Sequence, residues 1–413
     1  MAPATLRFPD APWAVGEPAR LIAALDSDGE EARVIGGAVR NLLLGEQVAD
    51  LDIATTAHPD EVTRRARALG FKVVPTGAAH GTVTVVIDGK PHEVTTLRED
   101  VETFGRKAIV RFGRDWQKDA ERRDFTINAL SMTRHGDVID TVGGLPDIEQ
   151  RRVRFIGDAR QRIREDYLRI LRFYRFHARY GAGAPDAEGV AATIAERDGL
   201  QLLSRERVRA ELLKLLAAPG APETVALMAE AGLLLPFLGV AIPPQLTRLA
   251  RLEAALSLEA APVRRLGALA LFVTDDAARF AERLRLSANE EERLRAMAES
   301  LPPLMHDHSE AAGQALLYRC EGNREAFADK VLLAWVRSEA APDEPAWRAL
   351  FDLPGRWQPP KFPIRAADLI ALGLEKGPAL GAALAAAEAE WISAGFPSDV
   401  ATVKALAARH ARR

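Results

Sequence analysis

Cysteine is almost absent from this chain. Cys320 is the only one in 413 residues, which excludes an intramolecular disulfide and any cysteine-cluster metal site. That scarcity suits a reducing compartment, and a cytoplasmic location is the expectation. No apolar run approaches the roughly 20 residues a membrane helix needs. The opening MAPATLRFPDAPW lacks a basic segment followed by an apolar core, so it does not read as a secretory leader. Neither charge is in excess: 55 Lys and Arg stand against 58 Asp and Glu, a formal net charge of −3. Taken alone, that balance argues against a nucleic-acid partner. What the chain has instead is 48% hydrophobic residues, ample for a sizeable core, and a length that predicts two to four substructures.

Net charge hides distribution. Between Arg151 and Tyr180 there are ten arginines, at 151, 152, 154, 160, 162, 164, 169, 172, 175 and 179, and only three acids, Asp158, Glu165 and Asp166. A local cationic stripe binds phosphates even on an acidic protein, because screening makes nearby charges dominate. Most charge runs are solvated helix faces. The absence of lysine from this one favours phosphate or base-edge contacts, where the planar guanidinium fork matters.

Strand signals concentrate in the first 150 residues. ARVIGG and DLDIAT read as strands, AVRNLLLG as a short helix closed by Gly45, and HPDEVTRRARALG as a helix with Pro59 near its start. GTVTVVIDGKPHEVTTL alternates about Asp88-Gly89 as a hairpin does. From about Asp158 the pattern is helical almost throughout. ARQRIREDYLRILRFYRFHARY carries an apolar side, SRERVRAELLKLLAA starts at Ser204, and Pro- and Gly-rich breaks punctuate the rest. The expected fold is an α+β head domain, a mixed β-sheet with helices, followed by an all-α remainder.

Three stretches carry chemistry. In VIGGAVRNLLLGEQVADLDIAT, Asp50 and Asp52 lie two apart, on one face if the segment is a strand. Adjacent carboxylates need a compensating cation, and Mg²⁺ suits such oxygen ligands. A lone DxD is equally a strand end with exposed acids; the upstream Gly36 and Gly37, which let the backbone approach a phosphate, and Arg40 give it meaning. In RRDFTINAL, Arg122 and Arg123 are suited to phosphates, and Asp124 and Asn128, four apart on a helix, share a face that could read a ribose or simply face solvent. In EDYLRILR, Asp166 and Arg169 project together one turn apart, with Arg172 and Arg175 continuing the row. Such a pair either binds a nucleobase edge or is a plain intrahelical ion pair.

Together, from about Val34 to Glu211, these stretches resemble the class II tRNA nucleotidyltransferases and bacterial poly(A) polymerases of the DNA polymerase β-like superfamily. GGAVRN…DLD is similar to the metal motif, RRDFTINAL to the ribose motif, DTVGGLPDI to the head-to-neck connector, EDYLRILR to the base-reading motif, and SRERVRAEL to the fifth motif on a supporting helix. Five motifs in family order are highly specific.

The resemblance implies a nucleotidyltransferase head at 1–150, a helical neck at 151–218, a body at 219–300 and a tail at 301–413 with tRNA contacts. It implies Mg²⁺-dependent addition of C, C and A to the tRNA 3′ end from CTP and ATP. Asp50 and Asp52 would bind metal, with Glu93 as a third carboxylate. Gly36, Gly37, Arg40 and Arg123 would contact the nucleotide, and Asp124 and Asn128 its ribose. Asp166 and Arg169 would pair with the base, and Arg172 and Arg175 complete the pocket. The family usually has aspartate where this chain has Asn41, which keeps a hydrogen-bond acceptor and gives up the charge. Residues 98–117, REDVETFGRKAIVRFGRDWQ, match the family's loop between the metal and ribose motifs. Its presence favours full CCA or A addition over CC addition. Poly(A) polymerase and A-only addition are the alternatives, and a non-catalytic RNA-binding protein the more distant one. A C-terminal phosphohydrolase would have only His306-Asp307-His308 as a crowded histidine site, which reads as a loop.

Overall fold

The computed structural model describes residues 6–48, 50–74, 81–104 and 107–411, excluding the side chains of residues 99–111. The chain divides into two compact units, Met1–Pro236 and Phe237–Arg413.

The first unit is built on a seven-stranded mixed sheet. Its strands are β1 (Ala32–Ile35), β2 (Ile53–Thr55), β3 (Lys72–Val74), β4 (Thr82–Ile87), β5 (Lys90–Thr96), β8 (Ser131–Thr133) and β9 (Val138–Ile139), in the order β3-β4-β5-β2-β1-β8-β9. Between β5 and β8, strands β6 (Arg98–Phe104) and β7 (Lys107–Phe112) pair as a separate antiparallel ribbon. The segment expected to be the family loop therefore forms this ribbon and the start of the next helix, while Gly105 and Arg106 within it lie outside the described residues. The β4–β5 hairpin turns at Asp88 and Gly89, both with positive φ (50° and 77°), the geometry a two-residue type I′ turn demands.

Helices α1 (Gly16–Leu25), α2 (Gly37–Leu43), α3 (Pro59–Ala68), α4 (Trp116–Glu121) and α5 (Gly144–Glu149) accompany the sheet. They are followed by α6 (Ala159–Glu165), α7 (Leu168–Tyr180), α8 (Ala187–Ala195), α9 (Arg205–Ala217) and α10 (Ala221–Glu230). The periodicity of residues 159–180 predicts one helix; the structure breaks it at Asp166, whose extended backbone (φ −156°, ψ 104°) separates α6 from α7.

Aromatic packing fixes α7 against the head. Phe125 and Phe155 form an isolated antiparallel bridge with ring centroids 4.9 Å apart, and Phe173 stacks on Phe155 at 5.4 Å and 15°. Phe125 and Phe173 are fully buried, so deleting either ring would cost about 3–5 kcal/mol. The connector DTVGGLPDI adds a tight approach. Asp140 Oδ1 accepts from the amides of Val142, Gly143 and Gly144, and a Cβ at Gly144 would lie 2.4 Å from the Thr126 carbonyl oxygen, which only glycine permits.

The second unit is helical. Within it Arg264 is buried between Glu253 and Asp329, and Arg265 pairs with the same Glu253. A separate apolar cluster gathers Ile364, Leu369, Trp391 and Leu406. The run His306-Asp307-His308 sits where the helix 288–306 ends, and His308 stacks on Trp347 at 4.6 Å.

Candidate active site

A cavity of about 660 Å³ in the first unit collects twelve of the thirteen residues that the resemblance implies for the site: Gly36, Gly37, Arg40, Asp50, Asp52, Arg123, Asp124, Asn128, Asp166, Arg169, Arg172 and Arg175. Arg122, Leu168, Phe176 and Arg207 complete its lining. Seven arginines against four aspartates make it a site for a polyanion.

The glycine pair joins β1 to α2. Gly36 has φ +65°, which a side-chain-bearing residue resists, and a Cβ there would meet Arg123 Nη1 at 3.4 Å. Asp50 and Asp52 lie in the lead-in to β2 rather than in the strand, but the strand pairing reaches them: the Ile35 amide donates to the Asp52 carbonyl at 3.0 Å. Leu51 between them is buried, Asp52 half-buried and Asp50 exposed. Burial pushes the Asp52 carboxyl above its ordinary value, and the negative charges of Glu93 and Asp50 push it the same way, only partly offset by Arg123 and His92. A buried carboxylate under repulsion from two others is suited to a divalent cation, and an all-oxygen donor set is suited to a hard ion. Glu93 itself is exposed on β5 and does not line the cavity. Its strand runs parallel to β2, Ile53 opposite Val94, which sets Glu93 beside Asp52. Among the described residues no three His, Cys, Asp or Glu side chains are grouped closely enough to hold a metal ion.

The RRDFTINAL stretch is a turn ending in a short 3-10 segment, Thr126–Asn128, not the helix expected. Asp124 and Asn128 nonetheless meet, Asn128 Nδ2 donating to Asp124 Oδ1 at 3.1 Å. Asp124 also accepts from the Phe125 amide at 2.9 Å and from Arg172 Nε at 2.7 Å. Burial alone would raise its pKa; the Arg172 charge, with the hydrogen bonds from Asn128, Arg172 and the Phe125 amide, outweighs burial and lowers it. Asp124 thus anchors α7 to the head. Asp119 on α4, absent from the sequence-derived set, orients the arginine pair: Arg122 Nε donates to it at 2.9 Å and Arg123 Nη2 at 3.0 Å. Its position three and four residues before those arginines is the signal that could have found it.

Asp166 and Arg169 are arranged differently from the expected one-turn projection. Arg169 Nη1 donates to Glu165 Oε2 at 2.6 Å and to the Arg162 carbonyl at 2.8 Å. Asp166 is bound by Arg207 of α9, Nη1 to Oδ1 at 3.1 Å and Nη2 to Oδ2 at 2.5 Å. Arg175 pairs with Glu211 on the same helix. The sequence marks SRERVRAEL only as a supporting helix, and nothing local identifies Arg207 as part of the cavity. Across the site, Asn41 Oδ1 accepts from Arg40 Nε and Nη2 at 3.2 and 2.9 Å, so asparagine does retain the acceptor function.

A mixed sheet carrying two aspartates and an arginine-lined cavity that closes on a helical neck defines a nucleotidyl-transfer site. Comparison with known proteins gives the family. Residues 32–154 match the model of the poly A polymerase head domain, and residues 186–248 that of a probable RNA and SrmB-binding site of polymerase A. The mitochondrial CCA tRNA nucleotidyltransferase 1 of Mus musculus is 32% identical over 375 residues, covering 89% of this chain and 84% of that protein. The protein of that name from Danio rerio is 45% identical over 206 residues; there the alignment spans 49% of this chain and only 48% of the relative. A Bacillus stearothermophilus CCA-adding enzyme in complex with CTP superposes with a TM-score of 0.74 and 29% identity, over 96% of this chain and 98% of that one. The chain belongs to the family of CCA-adding tRNA nucleotidyltransferases, whose members generally use divalent metal ions.

Proposed function

We propose that this chain adds C, C and A to the 3′ end of tRNA from CTP and ATP, in the arginine-lined cavity of its first unit. The observation that carries the reading is that cavity, whose lining brings Asp50 and Asp52 together with Asp166, Arg169 and six further arginines. The tRNA 3′-hydroxyl oxygen bonds to the α-phosphorus as its bond to the bridging oxygen breaks; pyrophosphate leaves and the hydroxyl proton passes to solvent. Arg40 and Arg123 hold the triphosphate, and Arg123 is kept in place by Asp119. Asp50 and Asp52, with Glu93 beside them, would hold Mg²⁺, which when bound lowers the hydroxyl pKa and neutralises charge on the transferring phosphoryl group. Asp124 and Asn128 face the ribose, and Asp124 also fixes α7 through Arg172. Asp166 and Arg169 stand in for a template strand, offering acceptor and donor groups to the cytosine or adenine edge, and Arg172 and Arg175 complete the pocket.

In this reading residues 1–150 are the catalytic head and 151–218 the neck, with body and tail beyond carrying tRNA contacts. Among the described residues no helix is long and apolar enough to cross a membrane. A cytoplasmic location is part of the proposal, supported by the lone cysteine, although curated relatives include mitochondrial proteins. The test is incorporation of α-labelled CTP and ATP into a tRNA lacking CCA, with and without Mg²⁺. Incorporation of both, abolished by a chelator and restored by Mg²⁺, is the expected result; chelator-resistant addition would remove the metal assignment.

A further inference from the structure

Arg40 is held by three oxygens, none of which is charged. Asn41 Oδ1 accepts from Nε and Nη2, Asn128 Oδ1 accepts from Nη1, and the Tyr180 hydroxyl accepts from Nη2 at 2.8 Å. The Tyr180 ring also lies against the guanidinium, whose central carbon is 4.0 Å from the ring centroid. Arg40 is only 6% exposed, and among the described residues no carboxylate forms an ion pair with it; Glu46 and Asp124 act on it only at a distance. Burial accordingly lowers its pKa. A carboxylate partner would cancel much of the charge a phosphate needs to meet, whereas neutral acceptors aim the fork and leave the charge in place. Asn41 provides only one such oxygen, shared between two donors. The second fixed contact at Nη2 comes from Tyr180, at the last position of α7 and 140 residues away in sequence.

We propose that Tyr180 is a positioning residue for nucleotide binding, aiming Arg40 at the triphosphate of CTP or ATP through its hydroxyl and ring where Asn41 holds Arg40 without a charge. The inference rests on the reading of the cavity as the nucleotide site. Tyr180 does not line that cavity, so it acts through Arg40 and not by touching the nucleotide. It also ties nucleotide affinity to the docking of α7, because the same helix carries Arg169, Arg172 and Arg175.

The test is a kinetic cycle on the full chain with tRNA ending in CC. Tyr180→Phe keeps the ring and removes the hydroxyl. It should raise KM for ATP about three- to tenfold, with kcat and KM for tRNA moving less than about twofold. With Asn41→Asp in place, an aspartate holds Arg40 directly, and the same Tyr180→Phe change should raise KM for ATP by less than about twofold. Equal losses in both backgrounds, an unmoved KM for ATP in Tyr180→Phe, or a loss confined to kcat or to tRNA would overturn the proposal. Equilibrium binding of ATP without tRNA separates the two levels: a wild-type chain that binds ATP but extends no tRNA defeats the functional reading, while the Tyr180→Phe shift in that same titration still decides the role of Tyr180.

Discussion

Arg207 and Asp166 meet as a fork on a carboxylate, at 3.1 and 2.5 Å, across 41 residues of sequence. The aspartate assigned to the base edge is thus already engaged from α9, and the Leu168 amide adds a third donor at 3.1 Å. On the proposed reading, cytosine or adenine would pair with groups held in fixed orientations, which is how a protein surface discriminates where no template strand exists.

Removing that hold should loosen base choice before it weakens tRNA binding. Arg207→Ala and Asp166→Ala should each lower the preference for CTP and ATP over UTP and GTP by about 10- to 100-fold, the worth of one bidentate contact. Competition among the four NTPs on tRNAs awaiting C or A measures this. Unchanged fidelity in Asp166→Ala would take that residue out of the template.

Asp52 stands in the opposite balance, unfavourable to the fold and, on the proposed reading, useful to the chemistry. Its carboxyl is pushed up by burial and by Glu93 and Asp50, so its ionisation costs the folded chain more than the unfolded one. Asp52→Asn should therefore raise the Tm of the metal-free protein at pH 7, abolish incorporation, and leave tRNA binding largely intact. Mg²⁺ should raise the Tm of the wild type and not that of the variant. Normal turnover by Asp52→Asn defeats the metal assignment.

Asp124 has the reverse sign. Its folded pKa lies below the ordinary 3.8, because Arg172 and three hydrogen bonds outweigh burial. Its contribution is fully present above that ordinary value and is lost as pH falls through the lower folded value. Asp124→Asn should flatten the loss of stability below about pH 4. Asp124→Ala should cost about 2 kcal/mol at pH 7, less than breaking a fully buried pair because the Arg172 side chain is 31% exposed. Urea titrations at pH 7 and in the acid range read both.

The parts of this site legible in sequence are those set by local spacing. The glycine pair Gly36-Gly37 after a strand, the closely spaced Asp50 and Asp52, and the hairpin at Asp88-Gly89 follow from neighbours a few residues apart. Partner choice does not. Helical spacing predicts that Asp166 and Arg169 project together, but the chain breaks at Asp166, so Arg169 pairs with Glu165 and Asp166 with Arg207. Asp124 and Asn128 do meet, through a turn instead of a helix, because Phe125 is drawn into the aromatic cluster. Tyr180 carries no motif, and only the docking of α7 on the head brings it to Arg40.

In the second unit, Glu253 receives Arg264 and Arg265 with a side chain only 2% exposed. Glu253→Ala removes the carboxylate that Arg264 and Arg265 share; because Arg264 keeps Asp329, it should destabilise that unit by about 3 kcal/mol, the low end for breaking a buried pair. Denaturation monitored by the buried Trp335 of the same unit detects it. A change within about 0.5 kcal/mol would show that the network is not needed for stability.

The central claim is decided most directly by the product. The purified chain, Mg²⁺ and all four NTPs are incubated with tRNAs lacking CCA, CA or A, and the 3′ ends are sequenced. The account predicts that every substrate is completed to CCA and that addition stops there. Growth only from the CC-ended tRNA, long A tails, or no addition would contradict it, pointing respectively to an A-adding enzyme, a poly(A) polymerase, or a protein that binds RNA without catalysis.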